Sequence, residues 1–213
     1  MTSYCQIIDL GILFASFLVI GILRKNYNVY LNDLFKLIFN YGNIEKFTKA
    51  SNVSMMLFLY YSFLVFLFSM SAFVYHTFFY NEYLYISEGI KIFGKIIFLI
   101  VIIKFFQFFV YYFIGSVTYH KYEARLVINT DLITSVIGGF IVLLPSTFYP
   151  YISEELQKIY IYFALFIFGT LFIIKIIYGL IFVFKKMSLL HIILLILSVE
   201  VLPVIVSCGY VCK

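Results

Sequence analysis

Four ionisable residues, Asp9, Lys104, Lys175 and Glu200, stand inside stretches of sequence that are otherwise long and apolar. A charged side chain at the centre of a bilayer costs about 2.5–3.5 kcal/mol on insertion scales, so such residues turn into a helical bundle and pair or neutralise there. Their depths follow from the 1.5 Å rise of an α-helix. Lys175 lies ten residues before Lys185, about 15 Å deep, and Lys104 twelve before Ser116, about 18 Å. Glu200 lies thirteen after Met187, about 20 Å, and Asp9 fifteen before Arg24, about 22 Å. Two acids and two bases thus fall in one layer between the midplane and the outer third of a membrane.

Two chemistries fit such a layer. It can be a polar clamp that locks helices together, or a proton or ion relay with Glu200 as the titrating group. Lys104 has Gln107 and Tyr111 at i+3 and i+7, which gives it a polar strip on one helix face. Glu200 stands three residues before Pro203, whose missing N–H frees the carbonyl of Val199. In lipid that carbonyl needs a donor from a neighbour. A lysine ammonium offers three, so Lys104 or Lys175 is the expected partner of Glu200.

The remaining polar residues read more plainly. His76, His120 and His191 fall at segment ends, where a solvated interfacial position is expected. His120-x-x-Glu123 makes one helical turn but lacks the further ligands of a zinc site. Glu154-Glu155, after Pro150 and Ser153, reads as a capped helix start with acids in its first turn. Cys5, Cys208 and Cys212 form neither a disulfide framework nor a zinc pattern. No Gly-x-Ser-x-Gly and no Gly-rich phosphate loop occurs, and nothing calls for a metal or cofactor.

The elements that must position the layer are membrane helices. Hydrophobic residues make up 64% of the 213, charged residues 12%, and the mean hydropathy is +1.07, far outside the range of a soluble fold. A helix needs about 20 apolar residues to cross a bilayer. Six candidate segments cover approximately 6–23, 55–76, 93–115, 132–148, 159–184 and 187–207. The expected fold is an all-α, polytopic transmembrane bundle forming one integral-membrane domain over 1–213. The start of the chain does not read as a cleavable signal: Met1 to Gln6 carry no Lys or Arg, and no small-residue cleavage site follows. In the fourth segment, Thr134-x-x-x-Gly138 and Ser135-x-x-x-Gly139 would let a neighbouring helix approach closely.

The formal charge of +5 reports topology and gives no sign of nucleic-acid binding, because the basic residues lie between or within the segments. Nine Lys and Arg collect on one side of the membrane, four on the other, and Lys104 and Lys175 lie within. The positive-inside rule then puts residues 24–54, 116–131 and 185–186 in the cytoplasm and both termini outside. Trp is absent, and tyrosines near segment ends (Tyr80, Tyr83, Tyr85, Tyr149 and Tyr151) are expected to take its interfacial role. Within the longest connection, Leu31, Leu34, Phe35, Ile38 and Phe39 recur at helical spacing, which predicts an amphipathic helix over 30–41 lying in the interface plane.

The order of these features resembles an uncharacterised multi-pass membrane family of Bacteroidota, a domain of unknown function. The resemblance rests on Ile8-Asp9 opening the first helix, on Leu34-Phe35 with a following Asn40, and on the ending Val199-Glu200-Val201-Leu202-Pro203. In the family that ending typically reads Leu-Glu-Ile-Leu-Pro. The resemblance implies inner-membrane residence and brings no activity.

Two functions remain open. One is a non-enzymatic accessory or scaffold subunit of a cell-envelope assembly, with the lipid bilayer and a membrane protein as partners. The other is a small transporter or proton-conducting protein that uses the polar layer as its path. The lack of catalytic motifs and of a three-plus-three internal repeat favours the first.

Overall fold

The computed structural model of the chain describes residues 3–39, 53–79, 86–117 and 121–184. Within them the chain forms five α-helices and no strand. They are α1 (Ser3–Phe39), α2 (Val53–Phe78), α3 (Ile86–Val117), α4 (Lys121–Phe148) and α5 (Glu154–Phe184). Each is long and apolar enough to cross a membrane. The sixth expected segment, 187–207, lies outside the described residues, as do Tyr80, Tyr83, Tyr85, His120 and His191.

α4 is the axis of the bundle. It packs against α2, α5, α3 and α1, most extensively against α2 and α5. Two glycines set how close the neighbours come. A Cβ on Gly139 would lie 2.5 Å from the Cα of Phe66, so here α4 meets the backbone of α2. A Cβ on Gly138 would lie 2.9 Å from a Leu171 methyl and 3.1 Å from the Phe168 ring on α5. The two adjacent glycines therefore serve two different neighbours, the kind of close approach that small residues permit between membrane helices.

Two apolar clusters fill the bundle. The larger joins Leu23 and Leu34 of α1, Phe58 and Val65 of α2, and Ile133 and Ile137 of α4. The smaller gathers Phe73 of α2, Val142 of α4, and Tyr160 and Ala164 of α5, around Tyr149. Several buried hydroxyls are satisfied within their own helix: Thr130 donates to the carbonyl of Leu126, Thr134 to that of Thr130 and Ser69 to that of Val65, each at 2.8 Å. Ser146 links two helices, since its Oγ lies 2.7 Å from the Val142 carbonyl and 2.8 Å from the Tyr160 hydroxyl.

The structure departs from the sequence reading at four places. First, the stretch 116–131 is no loop: α4 begins at Lys121, and only residues 118–120 separate it from α3 outside the described helices. Second, α1 runs on past residue 23, bends at Tyr27 (φ −136°, ψ 28°) and continues to Phe39. The helix expected over 30–41 is thus the second arm of α1 as far as Phe39. Its Leu34 is fully buried, Tyr30 meets Phe58 at 5.8 Å between ring centres, and Lys36 and Asp33 form an exposed pair at 2.9 Å.

Third, His76 is not solvated. It is 2% exposed, and its ring stacks on that of Tyr149 at 4.5 Å. The cause is that α4 runs directly into a 3-10 turn, Tyr149–Tyr151, which carries the Tyr149 ring back over the last turns of α2. Fourth, Tyr149 for the same reason is buried, wedged between His76 and Tyr160, whereas Tyr151 is exposed as expected. Gln157 of α5 closes the turn by donating to the Tyr149 carbonyl at 3.1 Å. Glu154 and Glu155 occupy the exposed first turn of α5, favourable for acids at the positive end of a helix dipole.

Candidate functional site

Three charged side chains from three helices meet in the middle of the bundle. Lys104 of α3 donates to both carboxylate oxygens of Asp131 on α4, at 2.8 and 2.9 Å, and to Ser135 Oγ at 2.9 Å. Lys175 of α5 pairs with Oδ1 of the same carboxylate at 2.6 Å. Asp131 is 1% exposed, and the Lys104 and Lys175 side chains 13% and 9%.

Helical spacing explains how each element presents its group. On α4, Asp131, Thr134, Ser135 and Gly138 fall at i, i+3, i+4 and i+7, so the acid shares a face with the glycine that lets α5 close in. On α3, Lys104, Gln107 and Tyr111 form the inward strip read from the sequence, with Gln107 and Tyr111 buried. On α5, Lys175 ends an inward stripe that runs back through Leu171, Ala164 and Tyr160. α2 adds the Phe66 ring, whose centre lies 5.6 Å from the Lys104 ammonium, close enough for a cation–π contribution.

A cavity of about 550 Å³ opens beside the triad. Asp131, Lys104, Lys175, Gln107, Thr134 and Ser135 reach it, and the rest of its described wall is apolar or aromatic, with Met70 and Phe66 on one side and Phe168 and Phe172 on another. Burying an ion pair is costly, and it is tolerated where the geometry is good and the remaining polar atoms are served. The bidentate contact to Lys104, the shared oxygen for Lys175 and the Ser135 hydroxyl meet that condition. Among the described residues no group of three or more His, Cys, Asp or Glu side chains could hold a metal ion.

The six residues singled out from the sequence fall into three classes. Lys104, Gln107 and Lys175 come together here. Asp9 belongs to α1, and its side chain lies outside those the structure describes. Glu200 and Pro203 lie outside the described residues. The acid that binds both lysines, Asp131, is one that sequence reasoning missed. Taking Asn129-Thr130-Asp131 as a boundary left a fourth segment of only 132–148, shorter than the roughly 20 residues a crossing needs. That deficit was the available signal. Extending the segment backward through Leu126, Val127 and Ile128 places Asp131 ten residues inside α4, about 15 Å from its start.

No curated protein and no solved structure matches the chain. A family model does, over residues 10–211, which is nearly the whole length and takes in all three members of the triad. The chain belongs to the family described as Domain of unknown function (DUF4271).

Proposed function

We propose that this is a non-enzymatic, multi-pass inner-membrane protein that serves as an accessory or scaffold subunit of a cell-envelope assembly. In this reading the chain is one integral-membrane unit of six crossings, with both termini outside and the second arm of α1 lying along the cytoplasmic interface. The observation that carries it is the use made of the buried charges. They bind one another across α3, α4 and α5 at salt-bridge distance, which is what a clamp requires. The outward faces meanwhile carry large rings such as Phe105, Tyr112 and Phe166, suited to lipid or to a membrane-protein partner.

The test is purification of the tagged protein from its native membrane in lipid discs, followed by identification of what accompanies it. A membrane protein present in stoichiometric amount is the expected result. A protein that is recovered alone, and that stays alone after cross-linking in intact cells, overturns the scaffold reading.

The cavity favours a second reading, a small transporter or proton-conducting protein. At about 550 Å³ it is roomy enough for several waters, each occupying about 30 Å³ in the liquid, and it touches all three charges. Proteoliposomes separate the two readings. A pH-gradient-driven flux above that of protein-free vesicles supports conduction, and its absence supports the clamp.

A further inference from the structure

Ser135 is used differently from its neighbours on α4. Thr130 and Thr134 turn their hydroxyl protons back to carbonyls of their own helix. Thr134 also reaches the Asp131 carbonyl at 3.1 Å, the acceptor that Ser135 would use in the same pattern. Ser135 Oγ instead accepts from Lys104 at 2.9 Å and lines the cavity. A hydroxyl that accepts still has a proton to give, and among the described residues nothing takes it.

This donor stands at mid-membrane. Ser135 lies fourteen residues after the start of α4 at Lys121 and thirteen before its end at Phe148, about 21 Å from that start. A ligand that reaches it comes through the bilayer, and the cavity has a side opening for one. Among the described residues, α3 and α5 both pack on α4 but make at most marginal contact with each other. Along α5, Leu165, Gly169 and Phe172 follow at i, i+4 and i+7; all three line the cavity and all three are exposed. A Cβ added to Gly169 would meet nothing within 4 Å, so the mouth is clear there.

From these observations, and resting on the reading of the chain as a membrane protein, we infer that the cavity binds a neutral, lipid-soluble molecule with a flat ring and a carbonyl acceptor, the chemistry of an isoprenoid quinone, which enters between α3 and α5 and accepts a hydrogen bond from Ser135.

Size, wall and charge each narrow the ligand. At about 550 Å³ the cavity falls within the roughly 300–1,000 Å³ of small-molecule sites, which are mostly apolar with a few polar groups that fix orientation. Phe66 of α2 and Phe168 and Phe172 of α5 bring aromatic rings to two of its walls, which favours a flat ring that can stack. Charge excludes an ionic head. An anion would come to lie beside the Asp131 carboxylate, and a cation beside the ammonium groups of Lys104 and Lys175. Either would also have to be carried to the centre of a bilayer. Ser135 offers a proton, so the neutral head needs an acceptor, and a quinone carries one at the edge of its ring. The tail then leaves past Gly169 into lipid.

The chain contains no Trp, so a single introduced indole reports alone. Leu165→Trp puts it at the mouth, and Phe98→Trp puts it on an exposed position of α3 outside the cavity lining. The full-length variants, in lipid discs, are titrated with decylubiquinone, a short-tailed quinone that quenches indole fluorescence. Saturable quenching is expected at Leu165→Trp, and only linear quenching at Phe98→Trp. Added to Leu165→Trp, Ser135→Ala should weaken the apparent Kd about fivefold, the loss of one hydrogen bond, and Ser135→Thr should restore it. Gly169→Leu extends into the open mouth and should abolish the saturable component while thermal stability is kept. If Leu165→Trp folds poorly, Phe172→Trp on the same rim gives the reading instead. Linear quenching at both positions overturns the inference, as does a Kd that neither Ser135→Ala nor Gly169→Leu changes. Displacement by an equal amount of hexadecane or oleate assigns the cavity to acyl chains or to a carboxylate amphiphile, and also overturns it. Carbonate extraction of native membranes keeps the premise separate. Protein retained in the membrane without saturable quenching refutes the site alone, whereas protein released refutes the membrane reading and the inference with it.

Discussion

In the most apolar stretch of α4, 72% of the residues are buried, against 17% in the corresponding stretch of α3 and 22% in that of α5. Yet α4 is the helix that carries Asn129, Thr130, Asp131, Thr134, Ser146 and Thr147 as buried groups. The flanking helices turn Phe98, Phe105, Phe109, Phe163 and Phe166 outward. In water the most apolar segment would take the centre. In lipid the outer faces can be as greasy as the solvent allows, and the centre goes to the helix whose small and polar residues have something to gain from a neighbour. The contrast teaches where to look for chemistry in such a chain: in the helix whose small and polar residues are buried against its neighbours.

The largest effect that can break this contrast is expected at Asp131. Asp131→Asn keeps the shape but removes the charge that Lys104 and Lys175 share. Breaking a buried pair by removing one partner costs about 3–5 kcal/mol. The variant should therefore lose its monodisperse form in detergent or unfold at much lower denaturant in mixed micelles. Adding Lys104→Met, which withdraws a base along with the acid, should return much of that loss. An Asp131→Asn protein as stable as the wild type would mean that the triad does not hold the helices.

How much of this was legible in the sequence differs between the same two regions. The outward helices were read well. The segments 93–115 and 159–184 sit inside the observed α3 and α5, because a lipid-facing helix announces itself by unbroken apolarity. Lys104 and Lys175 were conspicuous there for the same reason. α4 was read badly at its start, since Asn129, Thr130 and Asp131 look like a loop to any scale that scores residues by their affinity for lipid. A buried helix answers to its neighbours instead. The burial of His76 and Tyr149 was missed for a related cause: both are near helix ends, and only the 3-10 turn after α4 folds one over the other. The bend at Tyr27 follows no proline or glycine, and no residue in the sequence marked it.

A smaller effect sharpens the account of how α4 meets its two neighbours. Gly139→Ala places a methyl 2.5 Å from the Cα of Phe66, a backbone atom that cannot swing aside, so α2 and α4 must separate. Gly138→Ala meets the tips of Leu171 and Phe168, which can rotate. Overpacking that forces backbone shifts costs about 1–3 kcal/mol. Gly139→Ala should fall in that range, and Gly138→Ala below it, in the same unfolding assay. Because Phe66 also faces the Lys104 ammonium, Gly139→Ala should in addition weaken the coupling measured between Asp131 and Lys104. Equal effects of the two substitutions would show that the close approach belongs to both interfaces alike.

The smallest effect is expected on the outward faces, and there a null result in stability is informative. Phe105 on α3 is 71% exposed and Phe166 on α5 70% exposed. Neither lines the cavity beside the triad. Replacing either by Leu exchanges one apolar surface for another against lipid, and surface substitutions away from special features stay within about 0.5 kcal/mol. Unfolding of Phe105→Leu and Phe166→Leu should therefore match the wild type, while a loss of the co-purifying partner would mark that face as the contact. The two faces need not behave alike, and the pattern across them would tell which flank of α4 is turned to the assembly. If instead either substitution destabilises as strongly as Gly139→Ala, then the ring is packed against protein in the membrane, and the division between a buried polar axis and lipid-facing flanks is drawn in the wrong place.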